Sequence, residues 1–161
     1  MAAISGVSCN VERFEEYLDR ATDEVFSTMM GLSCVPDEQG GARERERISA
    51  LIGLAGAMSG SMVLHIGHAA AMRMAEHLTG AAITELDEVV RDAIGEVCNM
   101  VAGTWKGFDP VLCAGCMLST PTVVAGSSYE VFSRRAPLRI ERSYRFEDQR
   151  FTMTLYCEPS L

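Results

Sequence analysis

Residues 48–67 read ISALIGLAGAMSGSMVLHIG, and whether they form one helix or two strands decides the fold. Residues 48–66 contain no Asp, Glu, Lys or Arg, and Gly56-x-x-x-Gly60 is a spacing that packs helices together in bilayers. Against a membrane span, Gly and Ser crowd the middle of the run and Ser59-Gly60-Ser61 is turn chemistry. The flanking pieces RISALIGLAG and SMVLHIG each have strand length. The pattern predicts a buried β-hairpin turning at Ser59-Gly60-Ser61, with no membrane span.

On the C-terminal side of the hairpin, HAAAMRMAEHLTG predicts a short helix ended by Gly80. After a tight turn, residues 84–105 predict a long helix with Thr84 as N-cap and acidic residues in its first turn, where the helix dipole favours them. Beyond KGFDP the segments VLCAGCMLST, TVVAGSSYEVFS, LRIERSYRF and FTMTLYCE read as strands, the last two joined by a turn at EDQR. On the N-terminal side, PDEQGGARERER reads as a loop running into an exposed edge. Before it, Phe14, Leu18, Ala21, Val25 and Met29 recur at helical spacing between a cap at Asn10 and a stop at Gly31. Helix, strands, two helices and more strands make an α+β layer arrangement, with the helices on one side of a mostly antiparallel sheet.

The chain has 161 residues and 48% hydrophobic content, enough for one domain over residues 1–161 with a continuous core. A formal net charge of −8 argues against nucleic acid or anionic membrane as the main partner. The start, MAAISGVSCNVERF, lacks the basic and apolar regions of a secretory signal, so a cytoplasmic location is expected. In that compartment the six cysteines are expected as reduced, buried small hydrophobes, and the ten methionines as core filling.

Two long segments also repeat one another. Residues 20–31, RATDEVFSTMMG, align with residues 92–103, DAIGEVCNMVAG: Glu24 and Glu96 each precede a Val and are each followed seven positions later by Gly. On the second helix, Leu86, Val90, Ala93, Val97 and Val101 fall on one core-facing stripe. The opposite stripe is Glu85, Glu88, Asp92, Glu96, Asn99 and Gly103. Glu96 and Asn99, at i and i+3, project from one surface, and Gly95 and Gly103 are expected to keep the space beside them low. From residue types alone, an acidic stripe with one Asn is also what a merely solvated helix face looks like.

The ordered set DAIGEVCNMVAGTW, preceded by SGSMVLHIGHAAAMRMAEHLTG and followed by STPTVVAG, resembles the CheC/CheX/FliY family of chemotaxis phosphatases, most nearly its CheX members. The family pattern of Asp or Ser, Glu, Asn and a later Pro falls on Asp92, Glu96, Asn99 and Pro121, with Pro121 one residue earlier than the family spacing. The resemblance covers roughly residues 48–157. It implies a two-layer CheC-like fold of two pseudo-symmetric halves, each with a long helix. CheC-like members carry the Glu-x-x-Asn pair on both helices, whereas here the first helix offers Glu24 and Ser27, so one working site on the second helix is implied.

The activity that the resemblance implies is hydrolysis of the aspartyl phosphate of a response regulator. Asn99 would orient the attacking water, Glu96 would pair with the regulator's active-site lysine, and Asp92 would sit at the edge of the contact. No cofactor of its own is implied, Mg²⁺ being expected on the phosphorylated regulator, and the relatives imply a homodimer. Two other readings stay open: a non-catalytic module that docks on a receiver domain or motor-switch protein, and a scaffold that dimerises through a sheet edge. Cys113-Ala-Gly-Cys116, expected within a strand where residues three apart face opposite ways, reads as two unrelated cysteines. His65 and His68 with these cysteines lack the spacing of a zinc site. His77 reads as a helix C-terminal charge and Trp105 as packed at a helix end.

Overall fold

The computed structural model describes residues 10–40, 46–131 and 138–159. Cys9, most of the N-terminal segment and residues 43–45 of RERER lie outside the described residues.

Helix α1, Val11–Val25, begins where expected: the Asn10 side chain accepts from the Arg13 amide. Phe14, Leu18, Ala21 and Val25 are buried, as their spacing predicts. Met29 is not. The continuation of the helix, Phe26–Met30, is a π-helical last turn of α1 that closes on Gly31 in the left-handed conformation. Phe26, four residues after buried Thr22, is in the core, and past it the wider turn slips the helical phase so that Met29 rotates out to 50% exposure. Phe26 stacks on Phe151, with centroids 5.3 Å apart and rings 6° from parallel, and also meets Phe146.

The hairpin is present as β2, Glu46–Gly56, and β3, Met58–Gly67, after a two-residue β1, Val35–Pro36. It turns at Ala57, not at Ser59-Gly60-Ser61, and Leu54 pairs with Gly60 inside the ladder. Gly56 supplies the turn's positive φ of 96°. Gly60, at φ 151°, lets the neighbouring strand approach: a Cβ there would stand 1.9 Å from the Tyr156 carbonyl oxygen. The two glycines serve a sheet turn and a close strand contact rather than helix packing. Among the described residues no helix is long and apolar enough to cross a membrane.

Helix α2, His68–Thr79, ends on Gly80 as expected. The long helix α3, Glu88–Gly107, starts three residues later than its sequence suggests, because Asp87 and not Thr84 caps it, its side chain accepting from the Val90 amide. The expected tight turn is therefore an eight-residue connection, residues 80–87, in which Ile83 and Leu86 pack on the core. The segment VLCAGCMLST is a second departure. Its first half is a short helix α4, Pro110–Gly115, and only Cys116–Leu118 is strand β4. Asp109 accepts from the Val111 and Leu112 amides and Pro110 fills the first turn, a helix start written in the sequence as Asp-Pro. Cys113 is thus exposed at the end of a helix, against the expectation for it, while Cys34, Cys98, Cys116 and Cys157 are buried; all five are free thiols. Met117, like Met29, lies on the surface rather than in the core.

Strand β5, Thr122–Ser127, and the hairpin of β6, Leu138–Phe146, with β7, Gln149–Pro159, complete a seven-stranded antiparallel sheet among the described residues. Its order is β1-β6-β7-β3-β2-β4, and β5 pairs with the other end of β2. Exchanging β1 with β4, β2 with β6 and β3 with β7 turns this order into its own reverse. The halves α1-β1-β2-β3 and α3-β4-β6-β7 are pseudo-symmetric, as the repeat between their helices suggests.

The helices pack on the sheet face that presents Ile48, Ala50 and Ile52 from β2, Met62 and Leu64 from β3, and Met153 and Leu155 from β7, all buried. Three polar ties fix this layer. Arg142 on β6 grips the Asp19 carboxylate of α1 with two hydrogen bonds of 3.0 and 2.7 Å, and the Tyr144 hydroxyl donates to it at 2.6 Å. The Trp105 indole N–H donates to the Phe14 carbonyl, and the two rings meet edge to face. Burial pushes the Cys98 thiol up to about 12, and its Sγ donates to the Ala50 carbonyl beneath α3. On the far face, Tyr129 returns over the sheet, its hydroxyl 2.7 Å from Ser49 Oγ, which lies 2.6 Å from His65 Nδ1.

Candidate functional site

Helix α3 positions the candidate residues. Its core stripe, Val90, Ala93, Val97 and Val101, is fully or almost fully buried, which fixes the opposite stripe outward. Glu88, Asp92 and Glu96 are exposed and Asn99 is half-buried; Glu85 and Leu86, expected on the helix, precede it. Glu96 and Asn99 thus sit one turn apart on one surface, with Asp92 a further turn toward the N-terminus.

Pro121 joins this surface. It stands just before β5, where Gly95 allows it to approach: a Cβ on Gly95 would meet the Pro121 ring at 3.5 Å and Val123 Cγ2 at 3.2 Å. Gly95 is buried under these side chains, so it admits an element of this chain and does not open space for a partner. Gly103 behaves as expected, with nothing within 4 Å of the place a Cβ would take.

Asn99 lies in a groove of about 450 Å³ between α1 and α3. Its α3 wall is Asn99, Met100, Gly103 and Thr104, and its α1 wall includes Glu24, Thr28 and Met29. Glu96 and Asp92 lie outside this lining, on the same face of α3. Thr28 and Met29 were missed by sequence reasoning, since helical spacing assigns Met29 to the core; Glu24 was visible through its alignment with Glu96. Ser27, aligned with Asn99, is spent on its own helix, its hydroxyl donating to the Glu24 carbonyl at 3.1 Å.

The carboxylates of the site are among those left without an ion pair, in contrast to the six that tie the fold together. Asp19, Asp37, Glu76, Asp109, Glu141 and Glu147 each meet an arginine within 4 Å. Among the described residues Glu24, Asp92 and Glu96 have no ion-pair partner, and the Asn99 carboxamide has no hydrogen-bond partner. A half-buried amide with free donor and acceptor, beside exposed carboxylates, can hold a water and receive a cationic group. No group of three or more His, Cys, Asp or Glu suited to a metal ion occurs among the described residues.

Residues 48–141 match the family model described as chemotaxis phosphatase CheX, a span that holds Asp92, Glu96, Asn99 and Pro121. The fold is that of the chemotaxis protein CheX from Vibrio vulnificus, at 24% identity and a TM-score of 0.78, covering 94% of this chain and 100% of that one. It is similar to the CheX of a CheX-CheY-BeF3-Mg²⁺ complex from Borrelia burgdorferi, at 16% identity and a TM-score of 0.70 over 92% of this chain and 99% of that one. It is also similar to Thermotoga maritima FliY, at 14% identity and a TM-score of 0.66 over 93% and 92%. No curated protein matches the sequence. The family match over more than half of the chain, carried on this fold, places the chain in the CheX family of chemotaxis phosphatases.

Proposed function

We propose that this chain hydrolyses the aspartyl phosphate of a receiver domain, with Asn99 orienting the water, Glu96 docking on the receiver's active-site lysine and Asp92 at the edge of the contact. The observation that carries this reading is the unpaired Asn99 carboxamide in the groove, one turn from the unpaired, exposed Glu96. Family membership supports it, as does the Borrelia relative's complex with CheY.

The chemistry asks little of this chain. Water attacks phosphorus, the bond from phosphorus to the aspartyl oxygen breaks, and inorganic phosphate leaves a free carboxylate on the receiver. Such a transfer needs an in-line water and charge stabilisation more than covalent participation. The Asn99 carbonyl oxygen would accept a hydrogen bond from the water, and an amide does this at any pH because it does not titrate. Mg²⁺ would come with the receiver and supply charge neutralisation there. Glu96 would set the register of docking through its ion pair.

Phosphate release from a phosphorylated CheY-type receiver domain, with and without the protein, tests the proposal. Wild type should accelerate release and Asn99→Ala should lose about 10²-fold of that acceleration, the scale expected when a reacting water is misplaced. Equal rates for the two proteins would remove Asn99 from its role.

A further inference from the structure

The first helix has kept half of what the second helix carries, and the half that it kept faces Asn99. The Glu of the repeat survives as Glu24, exposed and without an ion-pair partner among the described residues. The counterpart of Asn99 is Ser27, whose hydroxyl is bound to its own helix backbone and whose side chain is absent from the groove. A first-helix site with its own water-holding group is therefore not available. Glu24 instead shares the groove wall opposite Asn99.

The π-helical turn is an independent observation. At the aligned position in α3 the helix continues in α geometry through Gly107, so the two halves differ in backbone exactly where they flank the groove. The turn costs regular helical hydrogen bonding, and single π turns recur at functional sites. Its outward product is Met29, half exposed, standing with Thr28 and Met100 along the groove. Methionine is an adaptable apolar contact that accommodates varied partner surfaces. The groove thus pairs one unneutralised carboxylate with one soft apolar side chain on α1, opposite the amide on α3.

We propose that α1 is the partner-selecting wall of the α3 site: Glu24 takes up a Lys or Arg of the docked receiver domain, and Met29 with Met100 an apolar side chain beside it. This rests on the phosphatase reading for the identity of the occupant. The complementarity is one of charge, an unpaired carboxylate on a chain of net charge −8 calling for a basic group on the partner. Glu24 and Met29 touch no reacting atom in this scheme; they set affinity and choice of receiver, while Asn99 sets turnover.

The test separates binding from chemistry in the full-length protein. Binding to a CheY-type receiver domain loaded with Mg²⁺ and beryllium fluoride is measured by calorimetry, and phosphate release from the phosphorylated receiver gives KM and kcat. The proteins compared are wild type, Glu24→Gln, Met29→Ser, Asn99→Ala and Glu12→Gln, the last removing the same charge from the exposed first turn of α1. Glu24→Gln and Met29→Ser should each raise Kd and KM about tenfold, about 1.4 kcal/mol, with kcat within about twofold of wild type. Glu12→Gln should match wild type. Unchanged Kd in both groove variants, or an equal loss in Glu12→Gln, would overturn the selecting role while leaving the phosphatase reading intact. A wild type that binds the loaded receiver through Glu24 and Met29 without releasing phosphate would overturn the phosphatase reading and keep the selecting wall. A wild type that neither binds nor releases phosphate would overturn both.

Discussion

Gly95 lies directly under Pro121 and Val123, so the helix that carries Glu96 and Asn99 is pressed against the entry to β5 through a position with no side chain. Gly95→Ala should be tolerated. The contact at 3.2 Å is with a terminal methyl of Val123 on an outer strand that can yield, and alanine returns about 1 kcal/mol of helix propensity. Gly95→Leu has no such escape and should cost about 2 kcal/mol in urea unfolding, by prising β5 from α3. A leucine variant as stable as wild type would show that β5 does not bear on the helix.

Gly60 should be far less forgiving. A Cβ there would meet the Tyr156 carbonyl oxygen at 1.9 Å, a backbone atom of a paired strand that cannot rotate aside, and φ is 151°. Gly60→Ala should destabilise the protein by about 3 kcal/mol or more, since β3 and β7 must separate in mid-sheet. Denaturant unfolding with an unchanged midpoint would contradict this.

What the sequence disclosed and what it hid divide along physical lines. The caps at Asn10, Gly31 and Gly80 are local chemistry and were legible, as were the hairpins and the buried stripe of α3. Thr84 and Asp87 are both competent N-caps before acidic residues; Asp87 prevails because Ile83 and Leu86 pack on the core ahead of the helix. Strand-like Val111 and Leu112 masked the Asp109-Pro110 helix start. The π turn has no local signature at all, since it forms where Phe26 stacks on Phe151, a strand residue remote in sequence. The site splits in the same way. Glu96 and Asn99 followed from helical spacing and the family order, whereas Met29, which that spacing assigns to the core, lines the groove in the π turn.

Thiol chemistry should follow burial. Burial pushes the Cys98 thiol up to about 12, and burial with the charges of Asp23 and Asp19 raises Cys34 as well, whereas Cys113 is exposed. A maleimide at neutral pH should modify Cys113 in the native protein and spare Cys34, Cys98 and Cys157 until denaturant is added. Peptide mapping by mass spectrometry reads this directly; native modification of Cys98 at the rate of Cys113 would show that α3 opens from the sheet.

The clamp between α2 and the β6–β7 turn should give the protein an acid-sensitive contribution to stability. Glu147, in the turn, accepts from Arg73 through both oxygens, at 2.9 and 2.8 Å, and lies 2.6 Å from His77 Nε2. Chiefly the Arg73 hydrogen bonds, and then that of His77, hold its carboxyl at about 2, below the ordinary value of 4.5. Because the folded value is the lower one, the unfolded chain takes up the proton first as pH falls. The contribution is therefore complete above about 4.5 and is lost as pH drops through about 2. The clamp is solvent-exposed, so its effect should be small and should weaken further with salt. Thermal unfolding of wild type and Glu147→Gln should show a Tm margin in favour of wild type that holds constant above about pH 5 and narrows toward about pH 2. A margin independent of pH would mean that Glu147 acts there through packing and not through its charge.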